Sequence, residues 1–91
     1  MKVLKFQASW CGPCKQLSAI LDNMVKAGEL SDFEIEAVDV DDQSDIANQY
    51  NIRGVPTLLL VDDEGTEKGR MVGGGTAVGV RNWFSSARAE Q

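Results

Sequence analysis

The chain has 91 residues, room for one modest core that removes roughly 60–65% of the unfolded surface from water, so a single domain over residues 1–91 is expected. A net charge of −5 argues against general nucleic-acid binding, and the lack of any His excludes His triads, His metal ligands and His acid–base catalysis. The longest apolar run, Leu58–Val61, cannot span a bilayer, and Met1–Gln7 returns to charge too early for a signal peptide, so a cytoplasmic protein with no membrane contact is expected.

Lys2–Gln7 predicts a short strand carrying Val3, Leu4 and Phe6. A helix follows from about Gly12 to Ala27. Pro13 suits its first turn, Gly28 suits its stop, and Cys14, Leu17, Leu21, Met24 and Val25 fall at helical spacing on one apolar face. Phe33–Val40 reads as a second strand through Ile35, Val38 and Val40. Ser44 is placed to cap a short helix through Tyr50, with Ile46, Ala47 and Tyr50 facing inward. Thr57–Val61 is a continuous apolar strand, which indicates burial on both faces. Asp62–Gly65 is a turn, and Glu67–Val72 returns as the hairpin partner. Thr76 can cap a last helix that turns Val80, Trp83, Phe84 and Ala87 inward. The first strand, helix and second strand make a right-handed parallel βαβ unit, and the last two strands an antiparallel hairpin. The expected fold class is α/β, a mixed four-stranded sheet flanked by three helices. Charge is segregated along this order: residues 29–52 hold eight acids and no base. That stretch reads as a solvated edge and face, with a docking surface for a basic partner as the sharper alternative.

The chemistry lies in Trp10-Cys11-Gly12-Pro13-Cys14-Lys15, where the first strand gives way to the first helix. Thiols at i and i+3 across a helix start can close a disulfide ring with little backbone movement. Cys11 falls at the helix N-terminus, where unpaired N–H groups and the dipole favour a thiolate, so it is expected to be the exposed, attacking sulfur. Cys14 lies one turn in on the apolar face, where desolvation favours the neutral thiol. A zinc site would need further ligands from carboxylates or a second chain, because the chain has no His and no third Cys. A purely structural disulfide would add little in a reducing compartment. A CxxC at a strand-to-helix junction in a βαβ pattern is a specific redox signal.

At this point the sequence resembles the thioredoxin family. The likeness rests on Phe6 and Ala8 ahead of the cysteine motif, on Tyr50-Asn51-Ile52-Arg53-Gly54-Val55-Pro56-Thr57, and on Val72-Gly73, and it runs from about Val3 to Phe84. It implies a thioredoxin-like fold and protein-disulfide oxidoreductase activity. Cys11 would be the nucleophile and Cys14 the resolving thiol, with Gly12 and Pro13 between them and Trp10 over the site. Pro56 would be a cis proline facing the disulfide, with Trp10, Val55, Pro56 and Gly73 forming the substrate surface. Core packing is the plain alternative for Trp10, an ordinary trans turn for Pro56, and an exposed loop cation is the preferred reading of Arg53. No bound cofactor or metal is implied, since the cysteines carry the electrons. The implied partners are disulfide-containing proteins and a thioredoxin reductase or equivalent donor, and a monomer is expected.

Two departures from the family pattern stand out. The chain starts at the strand that is second in ordinary thioredoxins, which resembles small archaeal or phage-encoded forms and leaves the Phe33–Val40 strand as an edge guarded by Glu34, Glu36 and Asp39. The buried acid that the family places six residues before the first Cys is Lys5 here, and the family's lysine on the neighbouring strand falls at Ala37. Lys5 could stabilise a Cys14 thiolate, sit against Asp39, or pack its stem and extend its ammonium to water. Two other functions compete: a glutaredoxin-like glutathione-dependent reductase, suggested by Gly73-Gly74-Gly75, and a redox-independent accessory binding subunit.

Overall fold

The computed structural model describes residues 1–90. Its elements are β1 (Lys2–Gln7), α1 (Gly12–Lys26), β2 (Glu34–Asp39), α2 (Ser44–Gln49), β3 (Thr57–Val61), β4 (Glu67–Val72) and α3 (Ala77–Ala89). The sheet runs in the order β2-β1-β3-β4. β1 is parallel to β2 and antiparallel to β3, and β3 is antiparallel to β4. This is the expected mixed four-stranded sheet with three helices, and β2 is the expected edge.

The apolar alternation along the strands builds two cores. On one face Val3, Leu58 and Leu60 meet Leu17, Leu21 and Met24 of α1 and Val80, Phe84 and Ala87 of α3. On the other, Leu4, Phe6, Val38, Leu59 and Val61 close over Ala47 of α2. β3 feeds both cores from alternate residues, so all its residues are buried, as its unbroken apolar run required. Side chains within one core touch across distant segments: Phe33 and Phe84 stack edge to face at 5.1 Å.

Local signals explain most boundaries. α1 starts with Cys11 as its N-cap and Pro in the first turn, and the chain leaves it through Gly28 at φ 75°. α3 is capped by Thr76, whose hydroxyl accepts from Gly79 N at 3.1 Å. In the β3–β4 turn, the Asp62 carboxylate accepts from Glu64 N at 2.9 Å and Thr66 N at 3.0 Å. Those backbone donors, Thr66 first, hold the Asp62 carboxyl below its usual range.

Two local expectations are corrected. Val25 is 57% exposed and not part of the α1 apolar face. The stripe that meets the sheet is Cys14, Leu17, Leu21 and Met24, and one further residue rotates the side chain about 100° away from it. Ser44 does not cap α2: it is the first helical residue, and Gln43 holds the cap position without a side-chain bond. The Asp39 carboxylate instead accepts from Asp41 N at 2.9 Å and shapes the loop entering the helix.

Candidate active site

Cys11 and Cys14 are joined as a disulfide, with Cα atoms 5.3 Å apart across the first turn of α1. Cys14 N donates to Cys11 Sγ at 3.1 Å, so the cap of α1 is itself a redox sulfur. A negative charge that develops on Cys11 therefore meets a backbone N–H and the positive end of a helix dipole. The exposure expected for Cys11 is corrected: both cysteines are 4% exposed. Position in the helix separates the two sulfurs electrostatically, but burial in the oxidised state does not. Ala8 lies beneath the pair, and Val40 and Val55 pack against it, which covers Cys11 from the loop side.

Three chain segments complete the site. The Val55–Pro56 peptide is cis, and the Val55 carbonyl oxygen lies 3.8 Å from Cys11 Sγ. Thr57 anchors this segment by donating to Gly54 O at 2.8 Å. Gly73, at φ 92°, donates its N–H to Pro56 O at 2.8 Å, so the end of β4 is tied to the proline. A left-handed φ there explains why glycine occupies the position. Gly74 passes close to Pro13: a Cβ on it would lie 3.7 Å from Pro13 Cβ.

Trp10 is 70% exposed, which excludes core packing. Its Nε1 donates to Asp41 Oδ2 at 2.9 Å, holding the indole over the rim beside Val40 and Val55. Arg53 is an exposed loop cation on the same rim, as expected. Lys5 forms no ion pair with Asp39 among the described residues, and its Nζ donates to Ser18 Oγ on α1 at 2.9 Å. Burial pushes the Lys5 ammonium below the ordinary lysine pKa, and Asp22 partly opposes the shift. Among the described residues, no cluster of three or more His, Cys, Asp or Glu could hold a metal ion, and no helix is long and apolar enough to cross a membrane.

The structure thus brings Trp10, Cys11, Gly12, Pro13, Cys14, Val55, Pro56 and Gly73 to one end of the sheet. Reading the sequence missed Asp41 and Ser18. Nothing in the acidic run singled out Asp41, whereas the i, i+4 spacing of Cys14 and Ser18 placed both on one helix face.

The sequence profile of the thioredoxin family matches residues 1–86. The chain belongs to that family. It is 42% identical over 71 residues to a thioredoxin of Mycoplasma genitalium, an alignment covering 78% of this chain and 67% of that protein. In structure it is similar to a mutant thioredoxin from Halobacterium salinarum, with TM-score 0.79 and 31% identity over 94% of this chain and 73% of that one. A Fasciola hepatica thioredoxin gives TM-score 0.81 and 29% identity over 94% and 79% of the two chains. Family membership and the paired Cys11 and Cys14 make this chain a thiol–disulfide oxidoreductase.

Proposed function

We propose that residues 1–91 form one thioredoxin-like domain that works in the cytoplasm as a monomer and reduces disulfides of protein substrates. The observation that carries this reading is a disulfide set on the N-terminus of α1, opposite the Val55–Pro56 segment. In the reduced protein, the Cys11 thiolate attacks one sulfur of a substrate disulfide. A mixed disulfide forms and the other substrate sulfur leaves as a thiolate. The Cys14 thiolate then attacks Cys11 Sγ, the Cys11–Cys14 bond forms, and the second substrate sulfur leaves. Two electrons pass to the substrate, and each departing thiolate takes up a proton. The cysteine pair carries these electrons without a bound cofactor. A thioredoxin reductase or equivalent donor resets the pair.

Substrate contact fits the same end of the sheet. Trp10, Val55, Pro56 and Gly73 frame the disulfide, and the exposed backbone before β3 suits an extended peptide that pairs with it like an added strand. The test uses insulin as the disulfide substrate. Cys14→Ser should accumulate mixed disulfides with it, while Cys11→Ser should form none and should not turn over. Labelling led by Cys14 in the reduced protein would reverse the assigned order. Turnover with glutathione as sole reductant would favour the glutaredoxin-like reading. Full biological rescue by a double Cys11→Ser, Cys14→Ser variant would favour the binding subunit.

A further inference from the structure

The second exchange step needs a Cys14 thiolate, and the helix N-terminus that serves Cys11 does less for a sulfur one turn inside α1. Cys14 lies on the wall of a cleft of about 410 Å³ that also includes Ser18, Asp22, Lys15 and Asp39. Cys14, Ser18 and Asp22 follow one another at i, i+4 along α1, so their side chains share one face. Lys5 reaches this face from β1, through its 2.9 Å bond to Ser18 Oγ.

That direction is informative. In the sheet register Lys5 lies beside Ala37 of the edge strand, and Ala37 is exposed. A lysine that only carried its ammonium to water has an open route past this small residue. Lys5 turns the other way, into the space between sheet and helix, and spends its donor on a half-buried hydroxyl. Because Lys5 donates to Ser18 Oγ, the Ser18 hydroxyl proton stays free to point into the cleft. The remaining charges that face Cys14 are Lys15 and Asp22 from α1 and Asp39 from β2. The loop after β2 and the segment before β3 pack Val40 and Val55 against the cysteines, and Asp41 of that loop is held by Trp10.

We propose that Lys5, oriented by Ser18, is a positioning residue for the second exchange step: its ammonium stabilises the Cys14 thiolate that displaces the reduced substrate. The Cys14 proton leaves to solvent through the cleft, Cys14 Sγ bonds to Cys11 Sγ, and the Cys11–substrate bond breaks with the electron pair on the departing sulfur. The kinetic consequence rests on the reductase reading above, but the charge effect on Cys14 does not.

The test separates the two. In a Cys11→Ser background, Cys14 is the only thiol, and its ultraviolet thiolate absorbance is titrated against pH with no substrate present. Adding Lys5→Met should raise the midpoint by about one unit, a roughly tenfold loss of thiolate at a given pH below it. Lys5→Arg should keep the midpoint near that of the parent. Ser18→Ala should raise it by a smaller amount, because the ammonium loses its tether. In the two-cysteine protein, Lys5→Met should slow decay of the mixed disulfide formed with insulin by about three- to fourfold, because the more basic thiolate attacks faster and offsets part of the tenfold loss, while formation of that species stays unchanged. A folded Lys5→Met variant with an unmoved midpoint overturns the proposal. Should Lys5→Met not fold, an unmoved midpoint in Ser18→Ala overturns it equally. A protein that never reduces insulin overturns the reductase reading while leaving the titration to decide the role of Lys5.

Discussion

Lys5 shows what a single charge contributes beyond chemistry. Burial lowers its pKa in the fold, with Asp22 opposing, so the folded chain releases this proton more readily than the unfolded chain. The unfolded state therefore binds more protons in the interval between the folded pKa and the ordinary lysine value, and stability rises with pH across it. The cost of the buried ammonium is fully present below the folded pKa and is lost progressively as pH rises from there to the ordinary lysine value. Lys5→Met is accordingly expected to be more stable than the parent at pH 7, with the gap narrowing as pH climbs toward the ordinary lysine value. Urea unfolding at several pH values measures this, and a gap that stays constant removes the argument. The CxxC pair was legible from its spacing at a strand-to-helix junction, whereas the cis proline and the role of Gly73 came only with the resemblance to the thioredoxin family. The partners of Trp10 and Lys5 were not legible, because Asp41 and Ser18 are brought to them by the packing of other elements.

The elements follow from short-range signals, and their errors have local causes. β1, β3 and β4 begin and end where apolar alternation and turn residues place them. α3 combines a Thr76 cap with a buried stripe of Val80, Phe84 and Ala87. Thr76→Ala should remove the bond to Gly79 N and cost about 1 kcal/mol, read as a lower unfolding midpoint with an unchanged denaturant slope. Cysteine reactivity should not change, since the bond that is lost joins Thr76 to Gly79 N within α3 and involves no residue of the cysteine site. Ser44 failed as a cap because the Asp39 carboxylate already organises the preceding loop, so the helix begins one residue earlier in its geometry than the best capping residue suggests. At the other end of α2, Arg70 of β4 donates to Tyr50 O at 2.6 Å, and Tyr50 donates to Gly65 O at 2.6 Å. These bonds lock the short helix to the hairpin although neither residue pair is close in sequence.

For the whole molecule, the two cores share β3, so loss of volume in either one weakens the sheet that carries the site. Phe84 is fully buried and touches both Phe33 and Trp83. Phe84→Ala should cost about 3–5 kcal/mol, against a total of roughly 5–10 kcal/mol for a chain this small. A large fall in the urea midpoint, with loss of disulfide exchange only where unfolding begins, is the expected result, and a loss below about 1 kcal/mol would mean the core repacks. The edge of the sheet behaves as its charges foretold: β2 exposes Glu34 and Glu36, and Lys2 pairs with Glu36 at 3.4 Å. Element types, the parallel pairing of β1 with β2, the β3–β4 hairpin and the redox motif were present in the chain alone, because apolar periods of 2 and 3.6 and turn residues leave few alternatives, whereas the antiparallel pairing of β1 with β3 was seen only in the fold. The burial of Cys11, the Trp10–Asp41 bond and the turn of Lys5 toward Ser18 were decided only in the assembled fold. Exposure and polar pairing depend on which segments meet in space, and residues 10 and 41, or 11 and 55, come together only once the sheet has formed.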